Sequence, residues 1–196
     1  MAEDMWQALY ERLRRRIERR KQEIGGTFLS PPGVQALDEF EERSGLKLPE
    51  SYRQFVLLFG PCRVGHVENV ACPGYTEEGS PIDLRARDDE FHAMYFDNVP
   101  EKDLREQYGD LDHFRRLVNF AKFEERDWVW DPDDVTDAEA HEYGIYLVGR
   151  IRGLGRVARS FRQFVRLKLR EFKDSGSGRS EVPILPTRIN RPRRRK

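Results

Sequence analysis

Two cysteines and a histidine are the residues whose spacing first suggests chemistry. Cys62, His66 and Cys72 lie within eleven residues, and thiolate and imidazole groups are common zinc ligands. A structural zinc site takes four ligands, however, and no second Cys/His pair of usual spacing follows. A Cys62–His66 nucleophile pair has still less support, because the sequence offers no oxyanion elbow. We therefore expect no metal, no cofactor and no catalytic residue, and we expect two reduced thiols rather than a disulfide.

Acidic residues form two further groups that could hold a cation or face a partner. The first follows Trp130 and consists of Asp131, Asp133, Asp134 and Asp137. It lacks the glycine and the distant glutamate of a calcium loop, so a solvated loop and a partner-facing acidic rim are the main interpretations, with weak cation binding as a third. The same two interpretations apply to the second group, which consists of Asp88, Asp89 and Glu90.

Aromatic residues beside these acids are candidate interface anchors. Trp128 and Trp130 have the same parity along a predicted strand, so both side chains point to one face. They either pack in a core or, bordered by Asp127, contact a partner, because tryptophan is enriched at binding hot spots. Tyr143 and Tyr146 have opposite orientations, so one is expected in the core and the other, taken as Tyr146, at the surface.

The overall charge of the chain conceals a strong segregation. The 196 residues include 35 basic and 35 acidic side chains, a net charge of zero. Residues 77–142 contain 21 acidic and 8 basic residues, a balance of −13. Residues 174–196 contain seven basic and two acidic residues, a balance of +5. Such asymmetry is typical of surfaces that meet charged partners and of solvated tails.

The basic ends of the chain support a second functional hypothesis. Arginines are dense between residues 12 and 20 and again between 191 and 195. They either form a solvated helix face or bind nucleic-acid phosphates, although no sequence-reading motif accompanies them. No apolar run is long enough for a membrane span, and no signal peptide is evident, so we expect a cytoplasmic protein without a membrane partner.

Three N-terminal helices are predicted from apolar spacing and from their end signals. The first covers residues 3–24 and ends at a glycine pair, and the second continues to Gly45. Leu48 and Pro49 open the third, because proline fits the first helical turn. Tyr52 and Phe55 lie on one face of that helix, which Gly60 ends.

Short strands follow these helices. We predict strands at residues 66–71, 91–96, 117–123, 128–130 and 142–150, in an antiparallel meander with short helices around residues 97–114. A serine then caps a last helix that presents Phe161 and Phe164 on one side. The chain from residue 174 lacks periodicity and is predicted to be a disordered, basic tail.

Three stretches follow one another along the chain: SGLKLPESYRQFVLLFG, LVNFAKFEERDWVWDP and the closing Ser-Phe-x-x-Phe helix. In this order they resemble the SUKH superfamily, and the first is the most specific. The superfamily groups yeast cell-wall synthesis regulators of the Smi and Knr type with bacterial immunity proteins. Together they cover residues from about 30 to about 172. The resemblance implies an α+β fold in which N-terminal helices pack on a mostly antiparallel twisted sheet closed by a C-terminal helix.

The resemblance also implies a binding role rather than an enzymatic one. Bacterial members bind toxins, many of them nucleases, and block them. An acidic centre would suit a basic nuclease because it mimics substrate phosphates, and opposite charge speeds association. We divide the chain into an amphipathic helix (1–26), a SUKH-like domain (27–173) and a basic tail (174–196). The first hypothesis is an immunity protein for a polymorphic toxin, and the second is nucleic-acid binding through the basic ends.

Overall fold

The computed structural model of the chain describes residues 2–75, 82–124, 126–149, 153–176 and 182–189. The helices within these ranges are α1 (Ala2–Ile24), α2 (Val34–Ser44), α3 (Glu50–Phe59), α4 (Leu84–Phe96), α5 (Glu101–Tyr108), α6 (Leu111–Phe114) and α7 (Phe161–Asp174). The strands are β1 (Thr27–Phe28), β2 (Cys62–Val64), β3 (Val67–Val70), β4 (Val118–Phe123), β5 (Arg126–Asp137), β6 (Glu142–Gly149), β7 (Gly153–Ala158), β8 (Ile184–Pro186) and β9 (Arg188–Ile189). No helix in these ranges has the length and hydropathy that crossing a bilayer requires.

Seven of the strands form one antiparallel sheet in the order β7-β6-β5-β4-β3-β2-β8. Strands β2 to β7 are neighbours in chain order, which is the predicted meander, and helices α4 to α6 are inserted between β3 and β4. In the ladder between β5 and β6, Trp128 opposes Leu147 and Trp130 opposes Ile145. The predicted α+β class with an antiparallel sheet is therefore confirmed.

Helices α1, α3 and α7 contribute to one buried cluster on the first face of this sheet. Tyr52 and Phe55 of α3 are fully buried, and each ring meets the ring of Phe161 of α7 edge-on at 5.2 Å between centroids. Phe164 packs edge-on against Phe120 of β4 at 5.3 Å. Edge-to-face pairs of this kind add about 0.5–1.5 kcal/mol each beyond the area they bury. The C-terminal helix closes the layer, as predicted.

The motif around Pro49 sets the position of α3. Leu48 is buried, Pro49 is the N-terminal cap residue, and the helix starts at the next residue. Gly45 and Gly60 cap α2 and α3 with positive φ angles of 71° and 64°. At Gly60 a Cβ atom would lie 3.1 Å from the backbone of Pro31, so both the conformation and the space require glycine.

Helices α4 to α6 cover the opposite face of the sheet and form a second cluster. Phe91 and Phe114 are buried there against Val129 of β5 and Val148 of β6. The prediction of a strand at residues 91–96 was wrong, because this segment is the last part of α4. Asp83 caps that helix by accepting hydrogen bonds from two backbone N–H groups, and a short aromatic run alone does not distinguish the helical from the strand period.

The prediction of a disordered tail was wrong for residues 182–189. Ile184 is fully buried, Val182 is nearly so, and β8 pairs with β2 as the edge strand of the sheet. The prediction followed the many charged residues around this segment. A strand of only three residues has too short a pattern to be seen in such a sequence, and its apolar residues are buried because it pairs with β2. Residues 177–181 and 190–196 of the predicted tail lie outside the described residues.

Helix α1 shares the first core. Trp6, Leu13 and Ile17 are buried, and the Trp6 ring meets Phe55 edge-on at 5.2 Å. The boundary at residue 26 therefore does not separate two hydrophobic cores. The division into domains at residues 26 and 173 stays a prediction.

Candidate interaction surface

The alternation of side chains along β5 sends the tryptophans and the acids to opposite faces of the sheet. Trp128 and Trp130 point into the cluster under α3 and α7, and Val129 points into the cluster under α4 to α6. Asp127 and Asp131 share the parity of Val129 and are 2% and 4% exposed. The helices on the second face therefore cover two carboxylates that were predicted to lie on an exposed acidic rim.

Trp130 is a core residue and has no exposed surface. Its ring stacks on Phe120 at 4.7 Å and meets Tyr52 edge-on at 4.8 Å. The prediction of Trp130 as an interface anchor is wrong for this structure, because the ring is enclosed by the aromatic side chains of α3 and β4. Parity alone showed that Trp128 and Trp130 share a face but not which helices cover it.

Asp127 and Asp131 were also predicted to contact a partner, and both are instead buried beneath the second helical layer. The Nε2 atom of His113 lies 2.9 Å from Oδ2 of Asp131, which ties α6 to β5. Asn119 donates a side-chain hydrogen bond to Oδ1 of Asp127 at 3.2 Å. Burial raises the pKa of Asp127, and the nearby Lys122 offsets part of that effect.

The three acids of α4 have different environments. Asp88 is mostly covered and accepts a hydrogen bond from the backbone N–H of Asn119 at 2.8 Å. Burial raises the pKa of Asp88 to about 7, although that hydrogen bond works in the opposite direction. Asp89 and Glu90 are exposed, and their nearest cations, Arg85 and Lys122, are both 3.9 Å away. Only the latter two acids remain open to a partner.

Asp133 and Asp134 have cationic partners within the chain. Arg116 contacts Asp133 at 2.7 Å, and Arg156 contacts Asp134 at 3.0 Å. The hydroxyl of Tyr146 donates to Asp134 at 3.0 Å, and burial raises the pKa of this half-buried tyrosine. A partner would have to displace these contacts to use either carboxylate, so we place the acidic contact surface elsewhere.

The second helical layer carries eight exposed acidic side chains. Residues 82–114, which include α4 to α6, contain ten acidic and four basic residues. We call the outer face of these helices the acidic layer. Exposed members outside the predicted contact residues include Asp97, Asp103 and Glu106. The helical period of residues 101–108 was the signal that could have identified two of them.

A groove of about 660 Å³ lies between α2 and the start of α4. We call it the α2–α4 groove. Phe40 contributes an apolar side chain, and the acids that line it are Glu39, Asp83, Asp88 and Asp89. The basic residues that line it are Arg43 and Arg85. The groove brings two of the predicted contact residues, Asp88 and Asp89, together with α2, for which the sequence predicted no contact role.

A second cleft, of about 570 Å³, opens where β5, β6 and α7 meet. It includes Val135, which is 51% exposed, together with Arg159 and Arg162. Acids and arginines alternate around it, so it carries no strong charge of one sign. The acidic layer and the α2–α4 groove remain the better candidates for a basic partner.

The metal-binding potential of the described residues is confined to one weak cluster. Ligand atoms of His113, Asp131 and Asp133 lie within 4.8 Å of one another. Each is already engaged, because His113 contacts Asp131 and Arg116 contacts Asp133. Cys62 and Cys72 are free and fully buried, and burial raises the pKa of both thiols. His66 is exposed, so it does not share their environment.

Comparison with known proteins supports the architecture. The model of the SMI1 / KNR4 family (SUKH-1) matches residues 31–167, which run from the approach to α2 into α7. No curated protein is similar enough to this chain to be counted as a relative. The match covers well over half of the chain and includes α2 to α6, β2 to β7 and the first half of α7, whereas α1, β1, β8 and β9 lie outside it. The chain therefore belongs to the SMI1 / KNR4 (SUKH-1) family, a family that includes immunity proteins.

Proposed function

We propose that this protein neutralises a basic partner protein, a nuclease-like toxin, by stoichiometric binding. The observation that carries the proposal is the acidic layer with its adjoining α2–α4 groove, both within the family-matched part of the chain. Asp89, Glu90 and Asp97 are exposed on this surface. A nuclease cleft is basic because it binds phosphates, so an acidic surface can cover it.

The charge of this layer acts mainly on association. Opposite charges steer the encounter and give rates that fall as the salt concentration rises. Apolar anchors are then needed for a slow dissociation, since a few desolvated contacts carry most binding energy. Phe40 in the α2–α4 groove, with Val34 exposed at 52% on the same helix, can supply that apolar contact.

The proposal assigns no catalytic step to the chain. The mechanism is steric and electrostatic occlusion of the partner's active cleft, which needs a preformed surface rather than a nucleophile or a general base. The described titratable clusters support this role because their groups serve as helix caps and interlayer contacts, as at Asp83 and Asp131. The two buried free thiols favour a reducing compartment, and we place the protein in the cytoplasm.

A titration against the product of the neighbouring toxin gene tests the proposal. The partner's nuclease activity is measured while purified protein is added. We expect inhibition that is complete at about one equivalent and weakens by at least about tenfold in affinity when salt rises from about 50 to about 200 mM. Failure to inhibit any neighbouring toxin, with binding also undetectable by calorimetry, would overturn it.

Charge-reversal variants locate the contact. The double variant Asp89→Lys/Glu90→Lys is expected to weaken inhibition by about tenfold or more, because it puts repulsive charges on the acidic layer. The matched control, Glu124→Lys/Glu139→Lys, makes the same change in net charge at exposed positions away from α2 and α4 and is expected to inhibit within about twofold of the wild type. Equal losses in both variants would place the contact elsewhere.

A further inference from the structure

Two side chains on the second face of the sheet each keep a buried oxygen that receives no hydrogen bond. Asn119 of β4 and Asp127 of β5 are 0% and 2% exposed. The side-chain nitrogen of Asn119 donates to Oδ1 of Asp127 at 3.2 Å. Oδ1 of Asn119 and Oδ2 of Asp127 are both buried, and neither accepts a hydrogen bond from a residue that the structure describes. Unpaired buried acceptors are rare in folded proteins, because each has lost its hydration without compensation, so this pair needs a physical explanation.

Neither a water molecule nor the other orientation of the amide removes the mismatch. The cavity beside Asp127, which Arg87, Phe91 and Lys122 help to line, leaves no volume that a water molecule could occupy. Exchanging the nitrogen and the oxygen of the Asn119 side chain would bring two oxygen atoms to 3.2 Å in place of the present hydrogen bond. In either orientation one oxygen of each group is unpaired, since an ionised carboxylate can only accept.

Charged groups face Asp127 from both α4 and β4. Arg87 and Glu90 lie on α4, and Lys122 lies on β4 directly opposite Asp127 in the strand ladder. On β6 the residue opposite Asp127 is Val148, which carries no charge. Lys122 is 3.9 Å from Glu90, so part of its charge is already balanced. Burial raises the pKa of Asp127 by more than the two cations lower it, which favours the protonated acid at pH values where an ordinary aspartate is ionised.

We propose that Asp127 and Asn119 form a buried carboxylic acid–carboxamide pair, whose proton acts as a pH-sensitive latch beneath the acidic layer. The protonated Oδ2 of Asp127 donates to Oδ1 of Asn119, so two opposed hydrogen bonds satisfy both groups without water. The same asparagine is tied to α4, because its backbone N–H donates to Asp88 at 2.8 Å. The latch therefore joins β4 to β5 at the point where α4 is held to the sheet.

The latch should open as the pH rises. An aspartate in the unfolded chain titrates near about 3.9, whereas the folded protein holds this proton more tightly. The stabilisation is therefore complete below about pH 4 and is lost as the pH rises through the folded-state pKa of Asp127. The ionised carboxylate repels Oδ1 of Asn119 and draws water or the Lys122 ammonium into the space under α4, which loosens the helix. This response does not depend on what the acidic layer binds.

Carbon-13 NMR of the side-chain carboxyl groups tests the latch directly. The full chain, labelled at its aspartate carboxyl carbons, is titrated between about pH 4 and about pH 8, and the resonance missing from Asp127→Asn identifies Asp127. We expect its midpoint at least about one pH unit above the ordinary value of about 3.9. A smaller rise, or ionisation throughout the range, would overturn the pair.

Two substitutions separate the pairing from the mere burial of a charge. Both are made in an Asp88→Asn background, so that the neighbouring carboxyl of α4 does not titrate. Asp127→Asn gives Asn119 a permanent donor in place of the proton, so hydrogen exchange of the α4 amides should lose its acceleration beyond the chemical rate between about pH 5 and about pH 8. Asp127→Leu also removes the charge but leaves the Asn119 side chain unpaired. Exchange of α4 should then be at least about tenfold faster than in the asparagine variant at every pH.

The matched control is Asp103→Asn, which removes an exposed carboxylate from α5 and should leave the exchange of α4 within about twofold of the background protein. Two results would each overturn the latch. Faster exchange in Asp127→Asn than in the background, anywhere between about pH 5 and about pH 8, would show that an ionised Asp127 is held as an ion pair by Arg87 and Lys122. Equal protection in the asparagine and leucine variants would show that only the buried charge matters.

Discussion

The carboxylate of Glu142 accepts a hydrogen bond at 2.9 Å from the backbone N–H of Ser51, which precedes it by 91 residues. Its second oxygen accepts from the backbone N–H of Phe161 at 3.2 Å. One buried side chain on β6 therefore caps the N-termini of both α3 and α7, the two helices that carry the aromatic core. The positive ends of both helix dipoles point at this charge, which stabilises it where water is excluded.

Replacing Glu142 should weaken the junction of the two helices. Glu142→Gln removes the charge and leaves one backbone donor without an acceptor, so we expect the free energy of unfolding to fall by about 1–3 kcal/mol. Glu142→Ala should cost more, because both donors are then unsatisfied. Guanidinium unfolding measures the loss, and Glu139→Gln, at an exposed position three residues earlier, is the control. A change below about 0.5 kcal/mol would mean that Glu142 does not join the helices.

Local signals in the sequence were sufficient for the first helical layer. Pro49 and Gly60 mark the ends of α3 by backbone chemistry that does not depend on the rest of the fold, and Ser160 caps α7 through a hydrogen bond with the backbone of Gln163. The period-two aromatics of β5 likewise predicted which tryptophans share a face. Each of these features is decided within a few residues, so one sequence can show it.

The candidate site was harder to predict because it depends on what covers the second face of the sheet. The alternation along β5 put Asp127 and Asp131 on a common face, but no local pattern showed that α4 and α6 close over them. With residues 91–96 read as a strand, α4 was missing and the rim appeared open. The position of β8 was also unpredictable, since an edge strand is set by its distant partner β2.

Gly60 should be much less tolerant of a side chain than Gly45. Gly45 has the left-handed αL conformation, in which alanine costs about 1 kcal/mol, whereas Gly60, with φ 64° and ψ −165°, has a conformation that is almost exclusive to glycine and costs alanine more. At Gly60 the new Cβ would also lie 3.1 Å from the backbone of Pro31, whereas Gly45 faces open space. We expect Gly60→Ala to lower the free energy of unfolding by about 1–2 kcal/mol more than Gly45→Ala. Equal losses would show that the segment before α2 moves aside.

Trp130 should behave as a packing residue. Trp130→Ala is expected to lower the free energy of unfolding by about 3–5 kcal/mol because it opens a cavity between Tyr52 and Phe120. Trp130→Phe should cost less, since the indole N–H has no acceptor within the described residues and its loss leaves no polar group unpaired. Denaturant unfolding of both variants checks this order. If the phenylalanine variant instead retained stability but lost toxin inhibition, the core assignment would be wrong.

Asp88 should make the stability of the protein depend on pH. Its folded-state pKa is raised to about 7 by burial between α4 and β4, whereas an unfolded aspartate titrates near about 3.9. The folded state therefore binds the proton more tightly, and the stabilisation is complete below about pH 4 and lost as the pH rises towards about 7. The slope from this one group is at most about 1.4 kcal/mol per pH unit.

The variant Asp88→Asn isolates this contribution. The amide oxygen can still accept from the backbone N–H of Asn119, but no charge forms, so the variant should gain stability relative to the wild type as the pH rises from about 4 to about 7. Burial lowers the pKa of neighbouring His92, whose contribution is lost in the opposite direction, as the pH falls. Because Nε2 of His92 lies 3.6 Å from Oδ1 of Asp88, the two titrations are linked, so the comparison is made with His92→Gln present in both proteins. The control Glu106→Gln, at an exposed position on α5, should leave the pH dependence of stability unchanged. If the stability curves of Asp88→Asn and the wild type ran parallel between about pH 4 and about pH 7, Asp88 would be ionised in the folded protein throughout this range.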